Sequence, residues 1–267
     1  MKQTSTCLWL MLIIVSLGTP LFAQTTSGII TYEGMRKLDP SQIRVVINGD
    51  VVQPGSPDAP PDLPDVVNFS QQLVFDKNAA KEIRENSGPV IRRFEGGPGG
   101  PATRETIKVE PPFTENTYID LGTQKYIRLL EIKKDAQVQT YRTEEPFKKT
   151  AGWQEAGKTK KIAGYTCKKA TCPWKGETYT IWYTTDLPFT YSPINGLAPE
   201  KGVVLEIEGS GEAFKATKVE NKSIPERKLS FSSDAQVLPA DQYEDVRNKA
   251  MADFRQKMFS GGLPGGN

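Results

Sequence analysis

The 267-residue sequence predicts a mainly β or α+β fold, in which a curved antiparallel sheet carries one C-terminal amphipathic helix. The first observation is that short segments of alternating apolar and polar residues recur between clusters of turn-forming residues. The second is that one stretch alone, 241–259, repeats its apolar residues at helical spacing. Strands at hairpin spacing followed by a helix indicate an antiparallel sheet with the helix packed on it.

Nine segments have the composition of β-strands. The clearest neighbours are 162–171 and 177–185, because Pro173-Trp174-Lys175-Gly176 between them is a strong turn signal. A second predicted hairpin joins 202–208 to 213–219 through a Gly-Ser-Gly turn. The other expected strands are 28–33, 69–75, 117–121, 126–132 and 136–141.

The predicted helix runs from Asp241 to Phe259. Asp241 and Glu244 have the spacing of a capping box, in which the first residue caps the helix N-terminus. We expect the helix to pack on one face of the sheet through an apolar stripe. The stripe consists of Tyr243, Val246, Ala250, Met251, Phe254 and Met258.

The first 23 residues have the pattern of a cleavable secretory signal peptide. Lys2 provides the charged start, an apolar run follows from Leu8 to Leu17, and Ala23 precedes the expected cleavage. This run is about half of the roughly 20 residues that a membrane-spanning helix needs, so residues 1–23 predict export without a transmembrane segment after cleavage. Residues 24–240 then form one β domain.

Two segments of this β domain are expected to be loops. Residues 53–65 carry five prolines, and residues 96–101 consist of glycine pairs and prolines. Such composition supports neither a strand ladder nor much apolar burial. At the end of the chain, residues 260–267 are expected to form a disordered tail.

The chain contains no histidine. This excludes Ser–His–Asp and Cys–His catalysis and histidine-based zinc sites, and it removes the commonest general base near neutral pH. The formal charge of +2 argues against a nucleic-acid partner. These features favour a protein that is not an enzyme, and we assign no catalytic, cofactor-binding or metal-binding residue.

Three segments carry a family resemblance. Residues 160–170 read Lys-Lys-Ile-Ala-Gly-Tyr-Thr-Cys-Lys-Lys-Ala, and residues 179–184 read Tyr-Thr-Ile-Trp-Tyr-Thr. Residues 196–207 begin with Gly-Leu and end with Leu-Glu-Ile, with extra residues between. Over residues 150–220 the chain resembles the GLPGLI family of exported bacterial proteins. The resemblance implies a β-rich envelope protein of a Gram-negative bacterium and implies no known activity.

Cys167 and Cys172 are the only cysteines after the expected cleavage site, and an even number in an oxidising compartment suggests a disulfide. Strand geometry opposes this bond. On one extended strand the two Cα atoms would be about 16 Å apart, against a limit near 7 Å. We therefore predict two free thiols. A thiolate metal site is the alternative, although two cysteines without histidine are too few ligands alone.

The one candidate binding surface lies on the strand 177–185. Tyr179 and Tyr183 share one face of this strand, and Trp182 lies on the opposite face. Aromatic residues on a sheet more often belong to the core. If one sheet face is open, however, one of the two sets is exposed and provides a platform for a ligand.

These observations predict a non-catalytic accessory or binding protein of the cell envelope, in the periplasm or associated with the outer membrane. Its partner would be another envelope protein or an apolar ligand. The alternative is a thiol- or metal-dependent periplasmic protein that uses Cys167 and Cys172. A carboxylate hydrolase is a third hypothesis, since Glu206 and Glu208 share one face of a strand. A solvated charged face is the simpler interpretation of that pair.

Overall fold

The structure is a computed structural model, and it describes ten ranges of the chain. These ranges are 27–38, 44–47, 50–52, 56–57, 66–84, 90–95, 103–108, 113–134, 137–232 and 234–260. The predicted signal peptide 1–23, the loop 96–101 and the tail from residue 261 onwards lie outside the described residues, as does most of the predicted loop 53–65.

Sixteen strands and one α-helix make up the regular structure of these ranges. The strands are β1 (Gly28–Lys37), β2 (Arg44–Ile47), β3 (Asp50–Val52), β4 (Val66–Phe75), β5 (Ala79–Arg84), β6 (Val90–Glu95), β7 (Thr103–Lys108), β8 (Phe113–Asp120), β9 (Lys125–Lys134), β10 (Gln137–Pro146), β11 (Gln154–Ile162), β12 (Tyr165–Trp174), β13 (Glu177–Thr184), β14 (Val203–Glu208), β15 (Glu212–Asn221) and β16 (Gln236–Val237). The helix is α1 (Ala240–Ser260), and one 3₁₀ turn spans Glu226–Lys228.

Twelve strands form one open, curved sheet in the order β11-β12-β13-β14-β15-β1-β4-β5-β8-β9-β10-β16. All neighbours in it are antiparallel except β10 and β16. A second sheet has the order β3-β2-β6-β7. The predicted fold class, a curved antiparallel sheet with one C-terminal helix, is confirmed.

The prediction of one strand over residues 162–171 is wrong, because a two-residue turn interrupts it. Ala163 and Gly164 join β11 to β12, and both have a positive φ, of 47° and 91°. Ile162 then pairs with Tyr165 across the turn. Glycine adopts such a conformation readily, and tight hairpin turns require it. The Ala-Gly pair is thus the turn signal in this segment.

The turn after β12 is also shorter than predicted. Pro173 and Trp174 still belong to β12, and the turn consists of Lys175 and Gly176, with φ of 50° and 84°. Pairing between β12 and β11 ends at Thr171. Proline lacks an N–H donor, so it is tolerated at this end of the strand, where β13 is the only neighbour.

The large sheet is held together weakly between β14 and β15. Only three residue pairs join these strands, from Glu206 with Lys215 to Glu208 with Ala213. The sheet therefore opens beside the first half of β14, and residues 185–202 fill the opening. The backbone of Tyr191 there pairs with β14, since its N–H donates to the carbonyl of Gly202 (3.2 Å) and its carbonyl accepts from Val204 (2.9 Å).

The side chain of Tyr191 connects this segment to strands β4 and β5 of the sheet. Its buried hydroxyl donates to Glu82 on β5 and accepts from the Nε2 of Gln71 on β4, both at 2.9 Å. Arg84 donates two bonds to the Oε1 of Gln71, at 2.9 and 2.6 Å. Burial raises the pKa of Glu82, and Arg84 partly offsets this increase.

Register defines two faces of the large sheet. The packed face carries Ile30, Leu73 and Glu82, which pair with one another across β1, β4 and β5. The main hydrophobic cluster lies on this face and includes residues of the 185–202 segment. We call the opposite side the outer face. Two smaller clusters on it place Leu229 against Ile29 and Val74, and Phe231 and Ala235 against Tyr118 and Leu129.

Helix α1 covers the packed face at β8 and β9. Four members of its apolar stripe, Tyr243, Val246, Ala250 and Met251, belong to a cluster with Phe113 and Leu130, and Tyr243 is fully buried there. Next to this cluster the carboxylate of Glu115 accepts bonds from Arg128 (3.1 and 2.6 Å), Arg247 (3.0 Å) and the hydroxyl of Tyr243 (3.0 Å).

The helix was predicted within one residue at each end, but the capping box was not found. Asp241 lies inside the first turn, because the helix begins at Ala240, and the carbonyl of Pro239 accepts the N–H of Tyr243. Glu244 bonds to Arg128 on β9 instead of reaching back to the helix start. A contact with the sheet thus replaces the local cap.

We expect Tyr191→Phe to lower the free energy of unfolding by about 1–3 kcal/mol, because Gln71 and Glu82 lose a partner in a buried position. Urea unfolding followed by tryptophan fluorescence measures this change. The matched control is Tyr141→Phe, whose hydroxyl bonds to Gln139 at the surface. We expect the control to change stability by less than about 0.5 kcal/mol. Equal losses in both variants would contradict the anchoring role of Tyr191.

We expect acid to loosen α1 through Glu115. Burial alone would raise the pKa of this carboxyl, but Arg128 and Arg247 hold the pKa below its usual range. Its contribution to stability is therefore present above the unfolded value of about 4.3 and is lost as pH falls through the lowered folded pKa. Hydrogen exchange of the α1 amides measured against pH should show this loss.

The variant Glu115→Gln should remove this pH dependence and lower stability at neutral pH by about 1–3 kcal/mol. The control Glu226→Gln changes an exposed carboxyl on the 3₁₀ turn, and its pH profile should match that of the unmodified chain. If α1 stays equally protected in Glu115→Gln, the helix is held by its apolar stripe alone.

Candidate functional site

The three aromatic residues of the candidate binding surface are divided between the two faces of β13. Tyr179 and Tyr183 are 4% and 7% exposed and belong to the main hydrophobic cluster of the packed face. The hydroxyl of Tyr183 donates to Glu155 at 2.5 Å, and burial together with Glu155 raises the pKa of Tyr183 to about 12. Trp182 lies on the outer face and is only partly buried. The binding role of these residues stays a prediction.

Two lysines flank the indole ring of Trp182. The Nζ of Lys160 lies 4.2 Å from the ring centroid, and the Nζ of Lys169 lies 5.9 Å from it. An ammonium group over an indole is attracted by the negative face of the ring. Lys160 also donates to the Oε1 of Glu206 at 2.5 Å. Trp182 is therefore held on the outer face by charged neighbours on β11, β12 and β14.

A row of register partners crosses the outer face and begins at these residues. Each member pairs directly with the next on the neighbouring strand, so all share one face. The row is Lys169, Trp182, Glu206, Lys215, Glu33 and Ser70, on β12, β13, β14, β15, β1 and β4. We call it the outer row.

A shallow groove of about 690 Å³ lies along four members of the outer row, Glu206, Lys215, Glu33 and Ser70, and ends beside Trp182, the register partner of Glu206. Its polar side chains come from segments far apart in the sequence, and Met35 and Ala213 contribute apolar surface. The polar side chains are Glu33, Asn68, Ser70, Glu206, Glu208 and Lys215. The groove thus combines apolar surface with carboxylates, an amide, a hydroxyl and an amine, which are the groups of a small-molecule site.

Among the polar residues that line the groove, Glu206 has a buried carboxylate oxygen without a hydrogen-bond partner. One carboxylate oxygen accepts from Lys160, while the other is buried and has no hydrogen-bond donor among the described residues. The Nζ of Lys215 is 4.0 Å from that second oxygen, beyond hydrogen-bond distance. A buried acceptor without a donor is unfavourable, so this oxygen keeps the capacity to accept one more hydrogen bond.

The two carboxylates Glu206 and Glu208 differ in their surroundings. Glu206 is engaged by Lys160, and Glu208 is exposed at the end of β14. The expected apolar positions Val203, Leu205 and Ile207 are fully buried. The interpretation as a charged outer face is therefore correct for Glu208, whereas Glu206 is partly buried by its ion pair.

The two cysteines lie inside the main hydrophobic cluster, and both are free thiols with no exposed surface. They lie on β12, which runs without a break from Tyr165 to Trp174, as strand geometry predicts. Burial raises the pKa of Cys167 to about 11, and burial also raises the pKa of Cys172. Protonated, inaccessible thiols are poor nucleophiles and poor metal ligands.

The described residues hold no group of three or more Cys, Asp or Glu side chains that could bind a metal ion. In the same part of the chain, no helix has the length and hydropathy to cross a membrane.

Sequence reasoning missed a polar cluster on the packed face around Glu82, Gln71 and Tyr191. Close to Glu82, the hydroxyl of Tyr126 is buried and has no hydrogen-bond partner among the described residues, and burial raises its pKa. One signal was available: Gln71 stands at a buried position between Phe69 and Leu73 in an alternating strand. A polar residue at such a position indicates a buried hydrogen bond. Its partners are far away in sequence and give no local signal.

Solved structures show a similar fold. Two structures of PNGF-II, in space groups P21 and C2, match the chain with a TM-score of 0.52 each and with 16% and 17% identity. The matches cover 84% of this chain and 34% and 33% of the PNGF-II chain, so the chain spans about one third of that protein. At such identity the likeness shows the fold alone. A search of curated proteins found no match.

A family assignment comes from residues 102–245, which match the family described as "N-glycanase peptide, N-terminal domain" (PNGase F-II N-terminal domain). The match begins at β7 and ends within the first turns of α1, so it includes Trp182 and Glu206 of the outer row. It covers more than half of the chain. The chain therefore belongs to the family of N-glycanase peptide N-terminal domains.

Proposed function

We propose that the chain is a non-catalytic binding protein of the cell envelope, and that its ligand is a glycan held along the outer row. The observation that carries the proposal is the buried oxygen of Glu206, which lacks a donor and lies beside the partly exposed ring of Trp182. A sugar hydroxyl can donate to this oxygen when the side chains that cover it move aside on binding. The adjacent indole offers a flat apolar surface for the C–H face of a sugar ring.

The rest of the groove has the same mixed chemistry. Asn68 and Ser70 can both donate and accept hydrogen bonds, Glu33 accepts, and Lys215 donates. A hydroxyl-rich ligand needs such alternating donors and acceptors, whereas an apolar ligand would leave them unpaired. The groove therefore favours a glycan over the apolar ligand expected from the sequence. The family name, which refers to an N-glycanase, supports the same ligand class.

A non-catalytic role is supported by the state of the carboxylates. A glycoside-cleaving site needs two carboxyl groups that converge on one bond. Glu206 is neutralised by Lys160, and Glu208 is exposed two residues further along the same strand. The absence of histidine removes the other common general base. We infer that binding, and not bond cleavage, is the role of the groove.

Export to the periplasm or outer membrane is part of the proposal. It is supported by the signal-peptide pattern of residues 1–23 and by the resemblance to the GLPGLI family of exported bacterial proteins.

Titration calorimetry with a glycopeptide tests the proposal. The chain should bind a peptide that carries an N-linked glycan and should not bind the same peptide without it. Trp182→Ala and Glu206→Gln should each weaken binding by about 10-fold or more, which corresponds to about 1.4 kcal/mol. Glu206 lines the groove, and Trp182 lies beside it as the register partner of Glu206, so each variant removes one contact proposed for the sugar.

The matched control is Glu226→Gln, which changes an exposed carboxyl outside the groove and should leave the affinity unchanged. Mass spectrometry of the same mixture should find the glycopeptide intact after long incubation. Release of the glycan would contradict the non-catalytic role. Failure to distinguish the glycopeptide from the bare peptide would contradict the glycan ligand.

Thiol labelling tests the alternative that Cys167 and Cys172 carry the function. In the folded chain we expect both to resist alkylation at neutral pH, because they are buried and their pKa values are raised. In denaturant without reductant, peptide mapping should find a label on each of them. Rapid labelling of the folded chain would favour the thiol alternative, and no label after denaturation would reveal a disulfide.

A further inference from the structure

We propose a second interaction surface, which adjoins the outer row at Lys160 and Lys169: the edge hairpin β11–β12 associates with a membrane surface that carries anionic phosphate headgroups. Residues 147–176, which contain this hairpin, have eight lysines and one glutamate. The formal charge of this segment is +7, against +2 for the whole chain, so the remaining residues carry −5. A nearly neutral protein thus has one strongly basic edge.

The lysines of this edge are largely unpaired. Lys148 has an ion pair with Glu145, and Lys160 has one with Glu206. The other six have no carboxylate oxygen within 4.0 Å among the described residues; they are Lys149, Lys158, Lys161, Lys168, Lys169 and Lys175. The one glutamate of the segment, Glu155, accepts the hydroxyl of Tyr183 instead. Like charges held together without counter-charges produce a positive potential that attracts an anionic partner.

The position of the hairpin leaves this charge accessible. β11 is the edge strand of the twelve-stranded sheet, and nearly all of its residues are exposed. Register places Lys161 and Lys168 on one side of the hairpin, while Lys160 and Lys169 flank Trp182 on the other. A surface that approaches the edge of the sheet therefore meets lysines from both sides.

Several features favour a membrane surface over another polyanion. All eight cations of the segment are lysines and none is an arginine. Arginine suits a fixed phosphate or sulfate, which it binds with two parallel bonds, whereas lysine is a hydrated point charge that suits mobile headgroups. Clusters of four to eight basic residues bind anionic lipid when they lie beside a transmembrane helix or on an amphipathic helix, and this hairpin presents a similar number of lysines at a sheet edge.

Association should be electrostatic, without insertion into the bilayer. The large apolar side chains that are most exposed in the described part of the chain are Ile83, Val138 and Val237, and none of them lies on the hairpin. Added salt should therefore abolish binding, since screening weakens attraction between exposed charges and the Debye length falls to about 3 Å at 1 M.

Vesicle co-sedimentation with the full chain tests the proposal. The chain should sediment with vesicles of phosphatidylcholine mixed with phosphatidylglycerol and should stay in solution with phosphatidylcholine alone. The triple variant Lys158→Gln, Lys161→Gln, Lys168→Gln should bind about 100-fold more weakly, since each lysine near such a surface contributes about 1 kcal/mol. None of these three lysines lines the glycan groove.

A matched triple variant removes the same charge elsewhere: Lys201→Gln, Lys222→Gln, Lys228→Gln, all exposed. It should bind the anionic vesicles within about twofold of the unmodified chain if location, and not net charge, decides. Equal weakening by both triple variants would overturn the proposal. So would binding to an acidic polysaccharide such as heparin with no binding to the vesicles, which would assign the edge to a polysaccharide.

Unfolding curves of the two glutamine triple variants should first establish that both are folded. A third triple variant, Lys158→Arg, Lys161→Arg, Lys168→Arg, keeps the positive charge at each position. It should bind the anionic vesicles as the unmodified chain does, which a merely structural role of these lysines would not predict. Glycopeptide binding by the Lys158, Lys161 and Lys168 glutamine variant should stay unchanged. If this variant lost both glycopeptide binding and vesicle binding, both ligands would share one surface, and the proposal of a second surface would be overturned.

Discussion

The closure of the opening between β14 and β15 is the constraint on which the rest of this structure depends. Three residue pairs alone join these strands, so the twelve-stranded sheet would separate there into two parts without further contacts. Tyr191 connects them through its backbone bonds to Gly202 and Val204 and through its hydroxyl, which contacts Gln71 and Glu82. Because these bonds are buried, losing one leaves polar atoms without partners, which makes the arrangement specific.

Closure on the packed face explains why the groove lies on the outer face. The segment that contains Tyr191 and helix α1 both cover the packed face, and Glu115 holds the helix in place. Apolar side chains of alternating strands therefore point to that face, and the charged ones are left on the other. Across the middle of the outer face, from Lys169 to Ser70, charged and polar partners line up around Trp182. The binding surface we propose is thus a consequence of how the core is covered.

Local sequence patterns predicted much of this fold, and particular residues show which features they did not predict. Alternation predicted β14 and β15 within two residues at each end, and helical spacing predicted α1 within one residue at each end. The Ala163-Gly164 turn was missed because the apolar alternation continues across it. Strand alternation also placed Trp182 opposite Tyr179 and Tyr183. It could not show that the two tyrosines are the buried set, since that depends on which face is covered.

The sequence by itself indicated nine of the sixteen described strands, the helix, the lack of histidine chemistry and the lysine-rich segment, because each depends on residue types and short spacings. Tertiary structure alone decided that Glu33 and Ser70 join Trp182 and Glu206 in one row, and that Glu206 keeps an oxygen without a donor. The physical reason is that register between distant strands is set by all their hydrogen bonds and by core packing together. A short segment does not contain that information.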